Sequence, residues 1–459
     1  MTEQTMLGPE NTVFVVLSFE GPDPYAQAGG LGVRVRELTT ALATDGFTVH
    51  HCFVGDPWRP GTEARVGGRL ILHRWCQWIS RYYPQGVYDG EEAKLYDFNE
   101  SIPGFVLERV ARPAVESGKN VVVMGEEWHT AHTCCLISDT LHYAGLRSRA
   151  LLLWNANNTM GFHRINWSRL AFTSAITTVS RYMKHILWRW GVNPLVIPNG
   201  IPSRLLRKVP AEPIARLRRP LDGRPILFKM ARFDPDKRWL MAIDAVARLK
   251  RAGHRPFFIM RGGIEAHGSE VLAAARGQGL LVANVREAAT LEGTIDAILD
   301  ARWADVVSLD FFVSEALSRV LYAASDAVLA NSGHEPFGLV ALEAMAAGGL
   351  VFTGCSGEDY ARHFENAIVL ETDDPTELVE YVLFLRTYPR EAANLRDGAR
   401  RIARLYTWEN VIANLLSKLE YLGRAQGLLK LPAASRPLAV SPINGKRAHT
   451  PQKLVVTAP

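Results

Sequence analysis

The chain has 459 residues, 47% of them hydrophobic, with a net charge of +5 and a pI near 8.9. That is material for two or three domains with cores of their own, and a positive balance too weak for nucleic acid, although it suits an anionic ligand such as a nucleotide diphosphate. Five cysteines (Cys52, Cys76, Cys134, Cys135, Cys355) with no Cys-x-x-Cys spacing argue against a disulfide framework and a zinc site.

No apolar run approaches the ~18 residues that span a bilayer, and the first residues lack a basic-then-apolar leader, so a reduced, cytoplasmic setting is expected. The elements then follow in chain order. Residues 13–17 read as a buried parallel strand, residues 27–32 as a glycine loop and residues 33–45 as a helix with Val35, Leu38 and Leu42 on one face. Strands are predicted at 49–54, 121–124, 150–154, 175–179 and 195–197, closing a first domain over 1–202. An Arg- and Pro-rich stretch, 203–224, reads as an interdomain linker with a solvated surface. A second series of strands (225–230, 257–260, 306–309, 327–330, 350–352) fills 225–405. Strand–helix alternation twice over predicts an α/β protein with two Rossmann-like, doubly wound parallel sheets. Thr407 looks like the cap of an amphipathic helix within 406–428, and residues 429–459 have the composition of a disordered tail.

The most specific motif is His334-Glu335-Pro336-Phe337-Gly338-Leu339-Val340-Ala341-Leu342-Glu343. Two carboxylates eight residues apart would lie about 80° apart on one continuous helix, so a shared helical face does not explain them. Pro336 and Gly338 instead place Glu335 in a turn and Glu343 just inside the helix that follows. The helix N-terminus offers unpaired N–H groups to a phosphate, and the flanking carboxylates suit sugar hydroxyls.

This stretch resembles the glutamate-seven-glutamate signature of retaining glycosyltransferases with the two-Rossmann GT-B architecture, in the GT4 and glycogen synthase group. The resemblance extends over roughly residues 12–425. It implies that Glu335 holds the transferred sugar, that Glu343 holds the ribose, and that Phe337, Gly338 and Leu339 line the donor diphosphate. Gly30 and Leu31 of the glycine loop would approach the donor from the first domain, where Gln27-Ala28 stands in place of the lysine of glycogen synthases. Arg232 and Lys237 resemble the family's arginine and lysine, which neutralise the diphosphate. With those cations in place a metal at Asp234-x-Asp236 would be redundant, and no cofactor or metal is expected.

In the first domain, Glu126-Glu127-Trp128-His129 stands where glycogen synthase-like proteins show Asp-Trp-His. His129 is either a residue of the acceptor cleft or a satisfied helix-cap histidine. Asn155 takes the place where relatives carry a sugar-facing histidine, which brings His163 into play as well. The resemblance also implies that the helix within 406–428 crosses back onto the first domain. Trp58, Trp75, Trp78, Tyr82, Tyr83 and Tyr88, interleaved with Arg59, Arg74 and Arg81, suit sugar stacking, a basic aromatic helix on a membrane surface, or an ordinary local core.

The function implied is transfer of a hexose from a nucleotide-diphospho-sugar bound to the second domain. The acceptor would be a hydroxyl of a glycan, small molecule or lipid on the first. A GT-B sugar-nucleotide epimerase and a catalytically silent sugar-nucleotide-binding protein are the alternatives; a phosphorylase would need a pyridoxal-binding lysine site that the sequence does not display.

Overall fold

The computed structural model describes residues 5–354 and 356–430. Cys355 and most of the expected tail, residues 431–459, lie outside the described residues.

Apolar β-branched runs pair into two parallel sheets. The first contains β1 (Thr12–Leu17), β2 (Thr48–Val54), β3 (Thr62–Arg65), β4 (Leu70–Trp75), β5 (Asn120–Glu126), β6 (Ala150–Ala156), β7 (Ala175–Thr178) and β8 (Leu195–Val196), in the order β3-β4-β2-β1-β5-β6-β7-β8. Among the described residues only its β3–β4 pairing is antiparallel. The second contains β9 (Ile226–Met230), β10 (Phe257–Arg261), β11 (Val282–Val285), β12 (Val306–Leu309), β13 (Ala327–Ala330), β14 (Val351–Thr353) and β15 (Ile368–Val369), in the order β11-β12-β10-β9-β13-β14-β15.

Strand order reverses beside β1, which lies between β2 and β5, and beside β9, which lies between β10 and β13. Open α/β sheets bind ligands outside the carboxyl ends of their strands at such switch points. β1 and β5 are buried along their whole length, as parallel strands covered on both faces must be.

Several expectations need correction. The helix after β1 spans Gly30–Thr44, so Gly30 and Leu31 belong to its first turn and not to a preceding loop. Stretch 203–224 is not a bare linker. It forms the 3-10 turn Ser203–Leu206 and the helix Ala211–Arg218, whose Leu217 is buried, and Leu221 is buried just beyond it. Two of its arginines are tied down: Arg216 meets Asp296 at 2.5 Å and Arg218 meets Asp326 at 3.0 Å. The missed signal was apolar, since Ile214, Leu217 and Leu221 fall at helical spacing behind the charges.

The aromatic stretch is not one basic helix either. It comprises the β3–β4 hairpin and a single helical turn, Gln77–Ser80. The hairpin escaped notice because β3, Thr-Glu-Ala-Arg, is half exposed and has no apolar run.

The helix Trp408–Ala425 packs onto the first sheet: Trp408, Val411, Ile412, Leu415 and Leu419 join one core with Phe14, Leu38, Leu42, Leu151 and Leu153. Thr407 holds the N-cap position in extended conformation, but its side chain bonds no helix amide. It instead bridges Ile201, so the two crossings between the sheets run side by side. Among the described residues no helix is long and apolar enough to cross a membrane.

Candidate active site

The second sheet supplies the cationic half. β9 ends at Met230, and the chain turns through Arg232 to the 3-10 turn Pro235–Lys237. The Asp234 carboxylate caps that turn by accepting the Asp236 amide at 2.9 Å, and Asp236 accepts the His334 amide at 3.1 Å. The Asp-x-Asp pair thus fastens the β9 loop to the β13 loop. That fastening brings Lys237 Nζ to 3.6 Å from Glu335 Oε2, while Arg232 stays exposed.

The helix Leu339–Ala346 follows directly, with Gly338 at φ 85° and ψ 60° as its N-cap. Only glycine takes this conformation cheaply. A Cβ there would also meet the Tyr360 hydroxyl at 2.8 Å, and that hydroxyl donates to the Gly338 carbonyl. Phe337 is buried against Tyr360 and Tyr406, so the turn is held from below. Beneath the loop, the buried Lys229 donates to Asn331 Oδ1 at 2.5 Å, and burial lowers it to about 7.

Glu343 sits one turn into the helix. Burial, with Glu315 and Glu37 adding like charge, pushes its carboxyl up to about 7. Glu37 lies on the first sheet's Gly30–Thr44 helix, and Arg204 reaches both Glu37 (3.6 Å) and Glu315 (3.0 Å). The two helices therefore face one cleft. Arg181 crosses it further along to Asp359 at 2.7 Å.

The first sheet supplies an acidic, more buried half. The amides of Ala28, Gly29 and Gly32 all donate to Glu20 Oε2, at 3.2, 2.9 and 3.0 Å. A carboxylate of the chain itself thus sits where an anion would bind the helix N-terminus. Gly30 lies exposed between these amides, with open space where a side chain would be, and Leu31 is half-buried beside it. Tyr88 donates to the other Glu20 oxygen at 2.8 Å.

Behind the loop, Arg34 and Glu126 form a buried ion pair at 3.2 Å. Asn155 belongs to this supporting layer: its amide donates to Glu126 at 2.9 Å and its carbonyl accepts from Thr177 at 2.9 Å. β6 is buried on both faces, so its sequence carried no signal of which way Asn155 points.

Glu127 follows with φ 67° and ψ 169°, a region nearly closed to any side chain. Such strain costs about 1–3 kcal/mol and collects at functional sites. Burial, with Glu126 adding like charge, pushes its carboxyl up to about 8, although it accepts the Asn157 amide at 2.9 Å. His129 is buried between Phe19 and Trp128 and bonded to Glu91 at 2.8 Å; burial lowers it to about 4. Its other ring nitrogen, Nδ1, is buried without a partner among the described residues, so the helix-cap reading of a fully bonded histidine does not describe it. His163 is exposed on a short 3-10 turn. Glu20 and Lys229 were not singled out from the sequence; the available signal was a charged residue at, or just past, the carboxyl end of a switch-point strand.

A cavity of about 470 Å³ lies away from this cleft, between Arg218, Asp326, Arg386 and Arg396. Arg218 and Arg386 bond Asp326, and Arg396 bonds the Ala323, Gly348 and Ser325 carbonyls, so its donors are already committed.

Two facing parallel sheets with these loops at their switch points have the GT-B fold. Sucrose-phosphate synthase from Thermosynechococcus elongatus superposes with a TM-score of 0.63 at 20% identity, over 90% of this chain and all of that one. HepE from Anabaena in complex with UDP-glucose superposes at 0.58 and 16% identity, over 89% and 99% of the two chains. Residues 214–402 match the family Glycosyl transferases group 1.

Among curated relatives, a D-inositol 3-phosphate glycosyltransferase from Thermomonospora curvata is 31% identical over 25% of this chain and 27% of its own length. Another from Geodermatophilus obscurus is 24% identical over 63% and 60%. The matches thus span less than two thirds of either relative. The family match lies on the second sheet and its helices.

Proposed function

We propose that this chain is a retaining glycosyltransferase that moves a hexose from a nucleoside-diphospho-sugar to an acceptor hydroxyl. The observation that carries the reading is the Lys237–Glu335 contact at 3.6 Å, beside a helix N-terminus capped by Gly338 at a switch point. The donor diphosphate lies over the amides at Gly338 and Leu339, with Arg232 and Lys237 as counter-charge. Phe337 holds the turn, Glu335 accepts from sugar hydroxyls and Glu343 from the ribose. Gly30 and Leu31 close over the donor from the opposite helix.

In the reaction the bond from the sugar's anomeric carbon to the diphosphate oxygen breaks, and the acceptor oxygen bonds the same face. The acceptor proton passes to the departing phosphate oxygen. Positive groups fixed where charge develops lower the barrier without reorganising. Arg232, Lys237 and the helix N-terminus supply that charge, so the reading requires no metal or other cofactor.

Product analysis with a donor labelled in the sugar tests it. Label on an acceptor with unchanged anomeric configuration is expected. Label in an isomerised nucleotide-sugar would make the chain an epimerase, and binding without turnover would make it silent.

A further inference from the structure

Residues 56–90 hold exposed rings on a frame that is itself buried. Trp58 is 77% exposed, Trp78 62% and Tyr82 79%. Burying large rings is strongly favourable, so a stretch that keeps three of them in water invites a reason.

The frame beneath is braced. Arg74, its side chain fully buried, forks onto Asp23 at 2.7 and 3.0 Å and also meets Glu63 at 2.5 Å. Lys94, also buried, donates to the carbonyls of Gly86, Val87 and Asp89 and to the Tyr25 hydroxyl, which donates in turn to the Tyr83 carbonyl. Gln77 ties the helical turn to the Asp56 and Arg59 carbonyls.

The stretch touches the cleft loop at its end. The Arg81 guanidinium lies 5.9 Å from the centre of the Trp58 ring, and Trp78 and Tyr82 stand four residues apart around the same turn. Tyr88, at the end of the stretch, bonds the Glu20 that fills the Gly29 turn.

We propose that this surface binds the extended part of an oligosaccharide acceptor, sugars beyond the one that receives the transferred residue. The proposal rests on the glycosyltransferase reading for the word acceptor, but not for the binding itself. Tryptophan and tyrosine offer a flat face for sugar C–H groups and a polar edge for hydroxyls. A lipid surface would ask for aliphatic side chains and free cations. Here Ile79 and Val87 are buried, and Arg59 is paired with Asp56 and Asp23 at 3.6 Å. Three exposed rings also exceed what one sugar touches.

The experiment titrates the full chain by calorimetry with maltohexaose, cellohexaose and chitohexaose, without donor. It also sediments the chain with phosphatidylcholine–phosphatidylglycerol vesicles. One series should bind, and a Trp58→Ala, Trp78→Ala, Tyr82→Ala triple variant should lose about tenfold or more in affinity with an unchanged melting temperature. Affinity for the bare nucleoside diphosphate should not move. Binding by no series, equal binding by the triple variant, or ring-dependent sedimentation with vesicles would each overturn the proposal. A chain that binds a hexamer through these rings yet transfers nothing would keep this inference and remove the glycosyltransferase reading.

Discussion

The two halves of the cleft are built by opposite rules. On the second sheet the charged groups stand toward solvent on a stiff turn: Arg232 is exposed, and Lys237 and Glu335 are part-buried at 3.6 Å. On the first sheet the charges have turned inward, with Arg34 and Glu126 buried together and Glu20 filling the amides of its own helix. One half is arranged to receive an anion. The other has spent its anion-binding groups on its own architecture. The contrast supports the proposal that the diphosphate binds the second sheet and that the first shapes the rest of the cleft.

Breaking the inward-facing half should cost the most. Glu126→Ala strands Arg34 in a buried site and removes the acceptor for Asn155 and Asn157. Loss of one partner of a buried pair typically costs about 3–5 kcal/mol. Denaturant unfolding should show a loss of that size, whereas a loss below about 1 kcal/mol would mean the pair is not the keystone of the first sheet's cleft edge.

Lys237→Ala and Arg232→Ala probe the outward-facing half. Each should lower donor-dependent turnover more than tenfold, because a charge-assisted phosphate contact contributes about 1.5–3 kcal/mol. The melting temperature should hardly change, since both side chains reach solvent. If instead these variants lose stability and keep their kinetics, the two halves have been assigned in reverse.

These two experiments also mark what the sequence could tell. Alternating apolar runs and turn signals made the two sheets readable, and the Glu335–Glu343 spacing located the second switch point because proline and glycine fix backbone geometry locally. The first half resisted for a physical reason. A fully buried parallel strand has no polar face, so nothing in Leu153-Trp154-Asn155 says that Asn155 turns toward Glu126. Glu20 reads like any acid after a strand until the fold brings the amides of residues 28–32 around it. The pairing of Arg216 and Arg218 was illegible in the same way, because their partners Asp296 and Asp326 are distant in sequence.

Glu20→Gln sharpens the comparison by removing charge and keeping an acceptor for the three amides. A carboxylate beside the cleft repels the donor diphosphate, so affinity for a bare nucleoside diphosphate should rise a few-fold, on the order of 0.5–1 kcal/mol. Calorimetry reads this directly. Unchanged affinity would show that the Gly29 turn faces away from the phosphates.

The smallest effect expected is a dependence of stability on pH, and it too divides between groups. His50, His73 and His129 are lowered to about 4 by burial, and His51 to about 3. Unfolded, these histidines titrate near 6.5, so their contribution is complete above that pH and is lost as pH falls toward 4. Glu343 runs the other way. Its folded value of about 7 lies above the unfolded carboxylate range, so the folded chain holds that proton more tightly, and the associated stability fades as pH rises through 7. Glu127, at about 8, adds the same sign. Stability should therefore fall on both sides of a weakly acidic to neutral optimum. Glu343→Gln, which is neutral at every pH, should raise the melting temperature at pH of about 8.5 and raise it much less near pH 5, where the folded carboxyl is protonated and only the unfolded chain has lost its proton. On the proposed reading the same substitution should weaken nucleoside diphosphate binding, because the ribose would lose its carboxylate acceptor. A variant with equal shifts at both pH values would show that the gain comes from packing and not from the proton.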